Sequence, residues 1–333
     1  MILGLAHAAA CDTNTSPGPT PYSLEISSEF PIMEIPENNP MTVEGIKLGE
    51  RLFFDPILSI DSTVSCSSCH QSSAAFSDPL AFSVGVAGIT DRNSMPIVNA
   101  GWMDKLFWDG RAISLEDQAL QPVENRVEMG EDWDHVVEKL QRNSEYPDLF
   151  ERAFGRGQIT ADLTTKAIAQ FERTLISSGS RYDQFKAGDL VLTAEEELGR
   201  TLFFTEKADC FHCHGTSLFT DNRFHNNGLD QTHIDQGLAS VTGNDADLGK
   251  FKTPTLRNVE FSGPYMHDGR FTTLREVVEF YNSGSQDSAT IDPLIGNGRR
   301  LNLTAEEIDG LIAFLKSLSD PQFLNHDFSS NLN

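Results

Sequence analysis

Two pentapeptides hold the residues whose types and spacing can do chemistry: Cys66-Ser67-Ser68-Cys69-His70 and Cys210-Phe211-His212-Cys213-His214. Two thiols three positions apart on a turn of helix can add to the two vinyl groups of a haem. The residue that follows then sets its imidazole against the iron. With five cysteines and nine histidines in 333 residues, chance supplies roughly 0.002 such strings, and the chain has two. A zinc ribbon would place its cysteine pairs much closer together. A thioredoxin-like pair has no use for a following histidine, twice. The strings predict two covalently bound haem c groups, with His70 and His214 as proximal ligands.

The segments that must position these strings occur in duplicate. Leu48-Gly49-Glu50-Arg51-Leu52-Phe53-Phe54 precedes the first string and Leu198-Gly199-Arg200-Thr201-Leu202-Phe203-Phe204 the second. Further on, Phe107-Trp108-Asp109-Gly110-Arg111 matches Met266-His267-Asp268-Gly269-Arg270, with Asn99 and Asn258 each ten residues before the Asp. Each is followed by apolar residues at helical spacing: Leu115 and Ala119, then Leu274, Val277 and Val278. Trp133–Arg142 and Thr160–Leu175 are amphipathic, and the segments opening at Thr193 and Thr304 read as capping boxes. No period-two strand stands out, and 226–249 reads as loop. The expected fold is mainly α, with two cytochrome c-like haem domains related by internal duplication. Residues 41–185 form the first domain and 186–319 the second, with a tail, 320–333, packing back on the first.

A net charge of −24 excludes nucleic acid as a partner, since phosphate binding needs clustered Lys and Arg. The fifth cysteine, Cys11, follows an apolar stretch and small residues, the pattern of an exported lipoprotein's cleavage site. A plain cleavable signal with an incidental cysteine is the alternative. Residues 1–40 are expected to be a signal remnant and flexible leader, and no segment reads as a transmembrane span. The periplasm is the implied location, with a possible lipid anchor at Cys11.

Leu48–Asp55, both haem strings, Phe107–Arg111, Val127-Glu128-Met129 and Pro264–Gly269 together resemble the bacterial dihaem cytochrome c peroxidase/MauG superfamily, in order, from about Thr42 to Pro321. The resemblance implies an N-terminal haem that meets hydrogen peroxide and a C-terminal haem that stores or transfers an electron. It matches Glu128 to the family's distal acid/base, a carboxylate that takes a proton from one peroxide oxygen and delivers it to the other. It matches Gln118 to a distal hydrogen-bonding position and Trp108 to the tryptophan between the haems. It implies a calcium ion held by Asn93 and by Ser262 and Pro264 carbonyls, an oxygen shell suited to that ion. His267 is expected to hydrogen-bond near the second haem without binding iron. His212, His225 and His233 carry no catalytic assignment and are expected at the surface or beside haem propionates.

Two departures from the peroxidase branch decide the expected chemistry. Where many members carry a distal histidine, this chain has Ser83-Val84-Gly85-Val86-Ala87-Gly88. The first haem is therefore expected to be open. Where they carry an axial methionine, fourteen residues after the His of the H-D-G motif, this chain has Tyr281. No methionine follows Met266, which is the one nearby alternative, and the position matching Tyr281 in the first half is Pro122. These features resemble the MauG-like (MbnH-like) branch, which implies oxidation of a partner protein's Trp or Tyr. Peroxide detoxification with a small cytochrome or cupredoxin as electron donor is the second reading. A non-enzymatic electron carrier is the third, disfavoured by an open site with Glu128. The tryptophan that MauG places before its second haem string is absent, the stretch here being Glu206-Lys207-Ala208-Asp209.

Overall fold

The computed structural model describes residues 18–296, 300–326 and 328. Its helices are α1 (Val43–Phe54), α2 (Cys66–Cys69), α3 (Leu115–Glu124), α4 (Trp133–Arg142), α5 (Tyr146–Phe154), α6 (Ala161–Glu172), α7 (Arg181–Ala187), α8 (Ala194–Phe203), α9 (Phe211–His214), α10 (Ala239–Thr242), α11 (Leu274–Ser283), α12 (Ala305–Ser317) and α13 (Pro321–Leu324). Strand structure among the described residues is limited to two short antiparallel pairs, β1 (Val84–Gly85) with β2 (Gly88–Ile89) and β3 (Phe224–His225) with β4 (Phe251–Lys252). The chain is mainly α, as its pattern predicts. None of these helices is long and apolar enough to cross a membrane.

The helix starts follow local chemistry. Thr193 and Thr304 form reciprocal capping boxes with Glu196 and Glu307, each satisfying two of the amide donors that a helix start leaves open. Thr160 caps α6 and Thr42 caps α1 through side-chain oxygens. The expected loop over 226–249 holds one helical turn, α10, ended by Gly243 at φ +66°.

Two helix pairs frame the haem strings. In α1 against α6, Gly49 lies so close that a Cβ there would sit 1.9 Å from the Ala167 carbonyl oxygen. In α8 against α12, Gly199 meets the Gly310 carbonyl at the same 1.9 Å. Only glycine permits either approach. Around the first pair lies a buried cluster including Leu48, Leu52, Phe53, Phe76, Leu115, Ile168 and Phe171. Around the second lies another, including Leu202, Phe203, Phe219, Leu274, Leu311 and Phe314.

Two tight turns also match. Leu106 bridges Ala112 and Tyr265 bridges Phe271. The turns use positive φ at Phe107 (63°) and Gly110 (73°), and at Met266 (74°) and Gly269 (64°). A bulky residue at positive φ is strained, so packing must hold Phe107 and Met266 there. The strained turns present Trp108 and His267 toward each other, ring centroids 6.5 Å apart.

The tail returns to the first cluster: Phe323 is buried in it, and Phe328 stands edge-on to Phe76 at 4.9 Å. Asp320 anchors this return. Its Oδ2 accepts from the amides of Ser178 and Gly179 at 3.0 and 2.7 Å, and its own amide donates to Asn258 Oδ1 at 2.7 Å.

The expected flexible leader is ordered over its second half. Phe30 and Met33 are buried, Trp102 Nε1 donates to the Pro31 carbonyl at 2.8 Å, and Arg257 lies 4.5 Å over the Phe30 ring. Polar ties add to these: Thr20 N donates to Glu44 at 2.7 Å and Asn39 Nδ2 to Glu116 at 2.7 Å. The expectations for residues 1–17, Cys11 included, lie outside the described residues.

Candidate active site

Each Cys-x-x-Cys turn opens on its own cavity, with about 1820 Å³ of space at the second string and about 1810 Å³ at the first, both counted to the open mouth. The first is lined by Cys66, Cys69 and His70, and the second by Cys210, Cys213 and His214. His70 Nδ1 lies 3.0 Å from the Phe76 carbonyl and His214 Nδ1 2.8 Å from the Phe219 carbonyl. A carbonyl accepts only, so Nδ1 carries the proton and Nε2 keeps its lone pair free, the tautomer a metal ligand needs. Burial lowers the pKa of both imidazoles, favouring the neutral form, while those carbonyls oppose it. Burial also pushes the thiols up, Cys69 to about 11 and Cys210 and Cys213 to about 12. Paired thiols, a correctly protonated imidazole and a largely apolar cavity fit a covalently attached haem at each string.

Around the first cavity stand Gln118 and Pro122 from α3, Glu128 from the loop after it, Arg111 and Trp108. Among the described residues no second histidine lines it. The hairpin β1–β2 packs behind Glu128: Val86 N donates to the Glu128 carbonyl at 2.9 Å. A Cβ on Gly85 would lie 2.0 Å from the Val127 carbonyl oxygen. Glu128 Oε1 accepts from Asn125 Nδ2 at 2.7 Å. Burial raises the Glu128 carboxyl pKa, Arg111 opposes the rise, and Asp91 adds to it. A carboxyl so placed exchanges a proton at a higher pH than a solvated one. Gln118 faces the same cavity.

Tyr281, Met266 and His267 border the second cavity. The Tyr281 hydroxyl accepts from Asn227 Nδ2 at 3.2 Å, and the same nitrogen lies 3.6 Å from Met266 Sδ. Both residues that could complete the second iron's coordination therefore converge on one amide. Burial pushes the Tyr281 phenol up to about 12, and Asn227 pulls it down. Tyr281 and Pro122 occupy the eighth positions of α11 and α3. The His267 ring, expected to hydrogen-bond, stacks on Phe251 at 3.8 Å and 11°. Its carbonyl makes the polar contact, accepting from Asn93 N at 2.8 Å.

Trp108, Asn93, Pro96 and Lys252 line both cavities. Trp108 is fixed by its Nε1–H to the Asn93 carbonyl, 2.8 Å, and by its own carbonyl, which accepts from Lys252 N at 2.9 Å. Asn93 Nδ2 donates to the Leu80 carbonyl at 3.0 Å, leaving Oδ1 as an acceptor. Ser262 and Pro264 border the second cavity with it.

The unassigned histidines separate. His212 pairs with Asp209 at 3.0 Å on α9. His225 is held between Asp221 (2.9 Å) and Asp292 (2.6 Å), which raise its pKa against burial. His233 packs against Gly249. Sequence reasoning missed Asn227, Lys252, Glu172 and Arg92. Glu172 is buried on the first cavity with Oε2 unpaired, and burial pushes its carboxyl to about 8. Arg92 joins Asp109 (2.6 Å) to Asp235 (2.7 Å). The available signal for Asn227 was its place in the polar loop His225-Asn226-Asn227. For the others, burial was the signal, and burial is invisible in a sequence.

The chain is similar to known proteins over most of its length. The family model for di-haem cytochrome c peroxidase matches residues 43–190. Cytochrome-c peroxidase IdrP1 of Denitromonas iodatirespirans is 35% identical over 98% of this chain and 94% of its own length. The methylamine utilization protein MauG of Methylorubrum extorquens is 38% identical over 85% of this chain and 80% of its own. A crystal structure of a MauG-like protein associated with microbial copper homeostasis superposes with a TM-score of 0.87 and 34% identity, covering 93% of this chain and 99% of that one.

Proposed function

We propose, for a chain that belongs to the di-haem cytochrome c peroxidase family and is thereby an oxidoreductase acting on peroxide with two haem c groups, that peroxide reacts in the first cavity. The observation that supports this is the makeup of that cavity: a half-buried Glu128 whose pKa burial raises, together with Gln118, and His70 as the one imidazole among the described residues on its walls. The haems, when bound, supply the iron that cleaves peroxide and stores oxidising equivalents. Glu128 takes the proton of the near peroxide oxygen and returns it to the far one, so that water leaves. Gln118 orients the bound oxygens by hydrogen bonding. Asn125 holds Glu128 in place. Trp108, shared by both cavity walls, is the contact through which charge passes between the two sites.

Further assignments belong to this reading. Residues 41–185 and 186–319 are two copies of one haem-binding unit, supported by the matched Gly49 and Gly199 crossings and the matched strained turns. Tyr281 and His214 would together hold the second haem's iron, a role supported by the place of both in that cavity. An anionic oxygen ligand favours oxidised iron, which suits a MauG-like enzyme that oxidises Trp or Tyr of a partner protein. Asn93 Oδ1 with the Ser262 and Pro264 carbonyls supplies oxygen donors of the kind calcium takes. The periplasm is the proposed location, with Cys11 as a candidate anchor. Met266, as close to Asn227 as Tyr281 within half an ångström, keeps the donor-dependent peroxidase as the second reading. Stopped-flow mixing of the fully oxidised holoprotein with peroxide is the test. Prompt change in the haem spectrum is expected, and reaction only after prior reduction of one haem would overturn the open-site proposal.

A further inference from the structure

Three cationic side chains are buried among the described residues: Arg173, Arg257 and Lys252, at 4%, 1% and 1% exposure. Two have carboxylate partners. Arg173 pairs with Glu116 at 2.8 Å, and Arg257 makes a two-pronged pair with Asp183 at 2.8 and 2.9 Å. Lys252 has none. The polar contact of its ammonium is Asn222 Oδ1 at 2.7 Å, a neutral acceptor that leaves two of its three N–H donors unmatched. Burying an ammonium without an anion costs several kcal/mol, and burial accordingly pulls Lys252 down to about 8 while Asp104 and Asp221 push back.

The position of this residue explains the imbalance. Lys252 lies on β4, beside Trp108, and is one of four residues on the walls of both cavities. Each haem c brings two propionate carboxylates, anions that the polypeptide does not itself contain. We propose that Lys252 is the cationic anchor for haem propionate at the junction of the two cavities, and that this one charge sets the reduction potential of both haems together. A positive charge beside a haem favours its reduced form, because reduction adds an electron. In a water-poor junction the effect reaches both irons. Asn222 aims the ammonium. Its Nδ2 donates to the Trp102 carbonyl at 3.3 Å, so its Oδ1 is left to face Lys252.

The test is a spectroelectrochemical titration of both haems in the holoprotein, parent against Lys252→Met, Lys252→Arg and Asn222→Ala. Lys252→Met is expected to lower both midpoint potentials. Lys252→Arg should restore them, because it keeps the charge and can grip a carboxylate with two N–H groups. Asn222→Ala should lower both by less than Lys252→Met does, since the charge remains but loses the oxygen that aims it. Unchanged potentials in Lys252→Met would overturn the proposal. So would an Asn222→Ala shift as large as that of Lys252→Met, because the polar tie would then be the agent. Should Lys252→Met fail to take up haem, Lys252→Arg decides: normal loading and potentials support the charge, while failure of both overturns the proposal, because a charge that can grip a carboxylate was kept and did not suffice.

Discussion

Replacing Glu128 by glutamine changes one proton and little else. Gln keeps the length of the side chain, and its carbonyl oxygen can take the hydrogen bond that Asn125 Nδ2 now gives at 2.7 Å. What it cannot do is accept and return a proton. A positioned acid/base contributes about 10²–10⁴-fold, on the order of 3–5 kcal/mol of barrier, and the loss in peroxide cleavage is expected within that range. Stability should move the other way. The Glu128 carboxyl has a folded pKa above its unfolded one, so the folded state holds its proton longer. Stability therefore falls as pH rises through the interval between the two values. Glu128→Gln removes that loss, and its thermal midpoint at neutral pH should equal or exceed the parent's. The rate itself should rise with pH in the parent, because the carboxylate form is the base, through an inflection above the ordinary carboxylate range. The variant should lack that inflection. The assay is single-turnover stopped flow across pH, paired with thermal unfolding and a haem-content measurement. A cleavage rate within roughly tenfold of the parent's, or the same inflection in both proteins, would refute the role of Glu128. A slow variant that is also less stable would point to structural damage.

Two further outcomes follow from the geometry. Tyr281→Met should raise the potential of the second haem and make it readily reducible, since a thioether favours ferrous iron and a phenolate ferric. A potentiometric titration that finds it unmoved would mean that Tyr281 is not the ligand. Gly199→Ala forces a methyl to within 1.9 Å of a backbone carbonyl where α8 crosses α12 and should cost about 3 kcal/mol. Gly157→Ala, with open space around it, should stay within about 0.5 kcal/mol, and equal thermal midpoints for the two would refute the crossing.

The proximal half of each site was legible in the chain order, because its chemistry is local. Two thiols and an imidazole must share one turn, so Cys66–His70 and Cys210–His214 declare themselves by spacing. The capping boxes at Thr193 and Thr304 were readable for the same reason, the partner lying three residues away. The mainly helical class followed from periodicity. Glu128, Gln118 and Trp108 were reached through family resemblance, since nothing in their own neighbourhoods marks one glutamate among many.

Other features depend on what tertiary packing brings together, and the sequence does not order those distances. The leader reads as polar and loose, yet Phe30 and Met33 find Arg257 and Gly101, residues more than sixty positions away. Tyr281 and Met266 are rivals on paper. In space they share the Asn227 amide, which only the return of a distant loop could supply. Lys252 carries no signal in the sequence, and its meaning comes from the missing carboxylate. A sequence specifies which groups exist and which near neighbours they have. Whether a charge is solvated or buried, paired or waiting for an anion, depends on the packing of segments far apart in the chain, because desolvation is a property of the assembled interior.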